Sequence, residues 1–269
     1  MYTTPILSKT ITMELHQPFI TSPALKIGPR IGELPGNHLG SYEDFLKTFL
    51  KDGYEFLFFQ EINSSYKQLV LRHDVDFDTA FALETAKIEA RLGVKSTYFF
   101  LLRSNLYNIL APADFENVQE IRSLGHQISV HFDPTIYDDF HQGLQQEVAI
   151  FEACFNEKVK IVSFHRPNAF FQEYDSPVMN IEHTYQSKYF RDIKYFSDST
   201  GVWRFGHPAD SMEFALGKSL HILIHPIWWV INGHSNLKKL ESYFTQRIDA
   251  LKHEFSNNCI PFRKIHAQI

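Results

Sequence analysis

From residue 54 onward the chain alternates short apolar runs with amphipathic stretches. Runs rich in Val, Ile, Leu and Phe at 54–62, 68–73, 96–102, 127–132, 160–165, 194–198 and 220–225 predict strands. Between them, 77–93 gathers Glu84, Lys87 and Arg91 on one polar stripe, and 141–156 behaves alike, so both predict helices. Residues 236–255 set Leu237, Leu240, Phe244, Ile248, Leu251 and Phe255 on one apolar stripe, the pattern of a helix with a face to bury. Ahead of the first strand, Ser41 has the character of an N-cap, with Tyr42, Phe45, Leu46 and Phe49 at helical spacing behind it. Strands alternating with helices predict a parallel sheet covered by helices. About seven such units predict a single α/β domain over 41–269, a (β/α) barrel that is incomplete or distorted relative to the eight-unit form. Residues 16–40 hold four Pro and four Gly, a density that blocks regular helix or central strand. They predict an irregular N-terminal arm over 1–40, with Phe19, Ile20, Leu25, Ile27 and Ile31 as apolar surface to lay across the domain.

Composition narrows the class. Of 269 residues, 44% are hydrophobic and 21% charged, which excludes wholesale disorder and coiled coil. Two Cys exclude a disulfide scaffold and a four-cysteine zinc site. A net charge of -5 argues against a dedicated nucleic-acid binder. No apolar run approaches the ~18 residues of a membrane span. The N-terminal residues lack the pattern of a signal peptide, and with Cys154 and Cys259 free the expected compartment is the cytoplasm.

The chain is rich in histidine, with 14, and in aromatics, with 25 Phe, 12 Tyr and 3 Trp. Position sorts the histidines. Four predicted strands close on one: His73, His131, His165 and His225, beside Asp74, Asp76 and Asp133. In a parallel barrel the C-terminal strand ends converge on the face that carries the active site. Alternate strand residues point the same way, so Asp74 and Asp76 share one side. Two carboxylates there repel unless a cation sits between them, and carboxylate with imidazole suits zinc or a similar divalent metal. The competing role for Asp76 is the N-cap of the 77–93 helix. The other ten histidines fall in loops, turns, strand openings or polar helix faces and carry no assigned role.

The ordered motifs RHDVD, GHQISVH, SFHRP, YFSDSTGVW and ILIHPIWW resemble those of the NodB-homology polysaccharide deacetylases, carbohydrate esterase family 4, over roughly residues 41–255. They look closest to the branch encoded with bacterial surface-polysaccharide genes. The resemblance implies a metal-dependent hydrolase that removes an N-acetyl group from a sugar of a lipopolysaccharide O-antigen, a capsule or a precursor of either. It implies Asp74 as catalytic base, Asp76 and His131 as metal ligands, Arg166 as the arginine that orients the base, and, from the fourth motif, Asp198 as the carboxylate that orients His225 and Trp203 as a substrate-binding residue. His225 is then the general acid, with Trp228 beside it as a sugar-stacking wall; the competing role of Trp203 and Trp228 is core packing. The implied cofactor is a divalent metal, zinc first. The family's second histidine, four residues after His131, falls here on Thr135, a poor ligand. His165, Asp133 or His141 is left to complete the metal set, and His165 is preferred because it too closes a strand. Two other readings stand beside this one: a catalytically inactive deacetylase-fold protein that binds carbohydrate, favoured by Thr135, and a hydrolase of the same fold acting on a small amide. The expected partner is an N-acetylated sugar or glycan, with no nucleic acid, no membrane span, and an oligomer open.

Overall fold

The computed structural model describes residues 39–63 and 66–266. The arm expected over 1–40 lies outside the described residues, apart from Leu39 and Gly40. Eight strands follow in chain order: β1 (Glu55–Leu57), β2 (Gln68–Val75), β3 (Thr97–Phe100), β4 (Gln127–Phe132), β5 (Ile161–Phe164), β6 (Glu182–His183), β7 (Lys194–Ser197) and β8 (Leu220–Ile224). Every pairing between them is parallel, in the order β6-β5-β4-β3-β2-β8-β7. β1 pairs with the start of β2, from Glu55↔Gln68, on the edge that β3 takes over from Arg72↔Thr97. No pairing joins β6 to β7 among the described residues, so the sheet is a distorted (β/α) barrel left open there. The strands are buried on both faces, as parallel strands under helices must be.

The helices that position the site are α1 (Tyr42–Lys51), α2 (Thr79–Leu92), α3 (Pro112–Ser123) and α4 (Phe140–Phe155). Ser41 caps α1 as its sequence predicts, accepting from the Asp44 N–H. α2 is capped by Asp78, whose side chain accepts from the Ala80 N–H, and it ends at Gly93 with φ +70°. Asp76 is therefore not the cap of α2. α3 has no marked apolar periodicity; Pro112 in its first turn starts it.

Three sequence expectations are corrected by packing. The strand predicted over 54–62 stops at Leu57, because Phe58 and Glu61 close a turn through two hydrogen bonds. The long helix Asn236–Asn258 buries Asn236, Lys239 and Tyr243, not its apolar stripe. The Tyr243 ring packs on Phe77 and Phe81 and its hydroxyl donates to the Phe77 carbonyl, while Leu237, Leu240, Phe244, Ile248, Leu251 and Phe255 stay in solvent. Three histidines with no assigned role, His126, His183 and His221, are buried. Among the described residues no helix is long and apolar enough to cross a membrane.

Candidate active site

Strand alternation splits the end of β2 between two faces. His73 points outward to the helix layer, where it meets Glu89 of α2 at 2.6 Å, lies 3.3 Å from the Tyr42 hydroxyl of α1, and stacks on Tyr98. It belongs to a buried polar network of the core and leaves the predicted histidine face. Arg72 and Asp74 point inward. Arg72 is fully buried and grips Asp74 with two hydrogen bonds, Nε to Oδ1 at 2.8 Å and Nη2 to Oδ2 at 2.7 Å. Burial alone would raise the Asp74 carboxyl; the Arg72 charge, the neighbouring His131 and the two Arg72 hydrogen bonds outweigh it and hold the group below the usual range. The arginine paired with Asp74 is thus Arg72. Arg166, to which the resemblance assigns that role, is exposed and stands in the left-handed region with φ +49° just after His165.

Asp76, His131 and His165 bring one donor atom each to a common point. His131 Nε2 lies 3.3 Å from Asp76 Oδ1, His165 Nδ1 lies 3.5 Å from the same oxygen, and the two nitrogens are 3.1 Å apart. Two ligands held ~2.0–2.1 Å from a tetrahedral zinc lie roughly 3.3 Å apart, so these separations fit one open tetrahedral face. The buried Asp76 Oδ1 makes no hydrogen bond, which leaves its lone pairs for an ion. Burial works against the Asp76 charge, but the His131 and His165 imidazoles hold its carboxyl far below the usual range. His131 Nδ1 donates to Ser163 Oγ at 2.6 Å, and Ser163 Oγ donates to Asp74 Oδ1 at 3.2 Å. That chain fixes the tautomer that turns the Nε2 lone pair to the cluster.

The choice of third donor follows from where the backbone goes after β4. Thr135 is exposed, with its N–H and hydroxyl both bonded to Asp133 Oδ1 at 2.9 and 2.6 Å. Asp133 is spent on that turn, and His141 is exposed beside Asp139. Of the three residues left open by the sequence, His165 is the one grouped with Asp76 and His131.

Across the cluster, His225 follows β8 and Asp198 follows β7. The Asp198 carboxylate is fully buried and accepts the His225 Nδ1–H at 2.7 Å, the His225 backbone N–H at 3.0 and 3.1 Å, and the Trp229 indole N–H at 2.8 Å. His225 Nε2 faces Asp76 Oδ2 at 3.8 Å. Burial disfavours the imidazolium, but the hydrogen bond and charge of Asp198, then the charges of Asp76 and Asp74, outweigh it and raise His225 to about 9. In the sequence, the signal for Trp229 is the double Trp of IHPIWW, whose motif resemblance points to Trp228 alone. Trp228 is buried and lines the cavity above the cluster. Trp203 stacks on Phe45 and meets Trp229 and His207 away from that lining, so it packs the core.

The cavity measures about 540 Å³. Its floor holds Asp74, Asp76, His131, His165 and His225, and its walls include Arg166, Tyr185, Tyr195, Arg204, Phe205 and Trp228.

No family model matches the chain, and no curated protein matches it. Solved structures similar to it include the peptidoglycan deacetylase PdaC of Bacillus subtilis, at 12% identity over 70% of this chain and 87% of that one, with TM-score 0.41. A family 4 carbohydrate esterase of Bacillus anthracis is similar at 16% identity over 78% and 86%, with TM-score 0.38. The chitin deacetylase of the fungal pathogen Colletotrichum lindemuthianum is similar at 16% identity over 66% and 82%, with TM-score 0.39.

Proposed function

We propose that the chain hydrolyses the N-acetyl group of a sugar, releasing acetate and a free amine. The substrate is a bacterial surface polysaccharide, an O-antigen or capsule, or its precursor, as the motif resemblance implies. The observation that carries the reaction type is the meeting of three metal-ligand donors with a separate, arginine-held carboxylate and an aspartate-held imidazole in one cavity. A divalent ion, zinc first, held by Asp76, His131 and His165 would supply Lewis acidity, polarising the amide carbonyl and acidifying water toward pKa ~7. Asp74, kept ionised by Arg72, accepts the proton of the attacking water. His225, protonated at neutral pH, donates from Nε2 to the departing nitrogen, which leaves poorly without that proton. Asp198 holds the imidazole in the orientation that exposes Nε2, and Trp229 in turn holds Asp198. Trp228 offers a flat wall to the sugar. As third donor His165 would stand in for the histidine that Thr135 replaces, the feature that favours an inactive binder.

The test joins metal analysis to acetate release from N-acetylated oligosaccharides. Purified protein is expected to carry about one divalent ion per chain. Asp76→Ala and His131→Ala are expected to lose it; Asp74→Asn is expected to keep it and lose turnover. Folded wild-type protein that takes up no divalent metal when zinc is supplied would sink the proposal, as would fully loaded protein inert on every N-acetylated glycan tried.

A further inference from the structure

Two cations line the cavity with no work in that chemistry. Arg166 and Arg204 are both exposed, and no ion pair or side-chain hydrogen bond engages either guanidinium among the described residues. The acidic residues of the lining are Asp74 and Asp76. Asp74 is already neutralised by the buried Arg72, and Asp76 lies between two imidazoles. The wall therefore carries two uncompensated positive charges, in a chain whose net charge is -5. A concave wall of one sign focuses its field on the cavity and draws in the opposite charge. Guanidinium groups match the planar, two-pronged geometry of carboxylate and phosphate oxygens. The Arg166 backbone, directly after His165, also stands at φ +49°, a conformation that costs a non-glycine residue energy.

We infer that the sugar bears an anionic group, a carboxylate or a phosphate, and that Arg166 and Arg204 bind it while the N-acetyl group lies over the Asp76–His131–His165 floor. This rests on the deacetylase reading and adds a specificity to it. Arg166 and Arg204 are then substrate-binding residues. A neutral N-acetyl sugar would leave both arginines without a partner and bind more weakly.

Three matched probes separate the sources of charge: the methyl glycoside of N-acetylglucosamine, N-acetylglucosamine 1-phosphate, and the methyl glycoside of the corresponding N-acetylated aminouronic acid. Acetate release is measured on metal-loaded protein, and binding by calorimetry on metal-loaded Asp74→Asn. At least one anionic probe is expected to exceed the neutral one by about tenfold or more in kcat/KM and in affinity, the scale of one charged hydrogen bond. Which probe wins decides between carboxylate and phosphate. In Arg166→Gln/Arg204→Gln that preference is expected to collapse through KM, and added salt is expected to erode it in the wild type. Equal handling of charged and neutral sugars overturns the inference, and so does an Arg166→Gln variant whose kcat falls alike on all three, because that is the signature of an arginine serving the base. Arginine-dependent binding of an anionic probe without acetate release from any probe upholds this inference while refuting the deacetylase reading. Absence of both binding and release with all three probes overturns it.

Discussion

Arg72→Met removes a guanidinium while keeping most of its bulk, and so leaves Asp74 buried without its partner. Both side chains are nearly inaccessible, at 0% and 5% exposure, and the pair is bidentate. Breaking such a pair from one side costs about 3–5 kcal/mol, since the remaining charge keeps its desolvation penalty. At ~2–4 °C per kcal/mol for a domain of this size, the melting temperature is expected to fall roughly 6–20 °C. The carboxyl itself should move. In the wild type its pKa is lowered on folding, so the pair stabilises the fold above the unfolded value and loses that contribution as pH falls through the folded one. Without Arg72, burial dominates and lifts the folded pKa above the unfolded value. Ionisation of Asp74 then opposes folding, and the stability gap between wild type and variant narrows as pH falls from 7 toward 5. Turnover should lose its base at neutral pH and recover only at higher pH. The assay is urea unfolding at pH 7 and pH 5 for wild type, Arg72→Met, Asp74→Asn and the double variant. A coupling energy of ~2–3 kcal/mol is expected at pH 7. A loss under ~1 kcal/mol, a gap that ignores pH, or an equal loss in the Asp74→Asn background would refute the assignment of Arg72 as the group that holds the base.

His165→Ala is expected to weaken zinc binding by at least ~100-fold in a competition titration, whereas Thr135→Ala leaves it unchanged; the reverse result would return the third ligand to the position after β4. Trp229→Phe removes a donor to the buried Asp198 carboxylate and is expected to cost about 1.5–3 kcal/mol in chemical denaturation, together with a drop in kcat as His225 loses its anchor. Burial first, then the Arg72 charge, push His221 down to about 3, so the folded protein keeps it neutral while the unfolded chain protonates it near 6.5. The unfolded state binds the extra proton, so stability present above pH 6.5 is lost as pH falls, by about 1.4 kcal/mol between pH 7.5 and 5.5. His221→Phe is expected to flatten the pH dependence of the unfolding free energy by that amount, and an unchanged slope would show that His221 charges in the fold.

The sequence by itself determined whatever depends on neighbours along the chain. The apolar run at 127–132 became β4 with the same ends, and Ser41 became the cap of α1, because side-chain period and local hydrogen bonding set both. The spacing of Asp74 and Asp76 already placed two carboxylates on one side of β2's end. Tertiary structure decided every choice between candidates far apart in sequence. His165 joins His131 across 34 positions because β4 and β5 are adjacent parallel strands, while Thr135, only four residues on, is carried off by a turn built on Asp133. Arg72 holds Asp74 because period-2 geometry aims both inward, a relation as legible as the Asp pair, yet the motif order pointed to Arg166. That Trp229 anchors Asp198 depends on how the residues after β8 fold over the end of β7. The stripe on Asn236–Asn258 has a helix's periodicity, but periodicity states only that a face is apolar. Docking through Tyr243 and Lys239 decided that this face points to water.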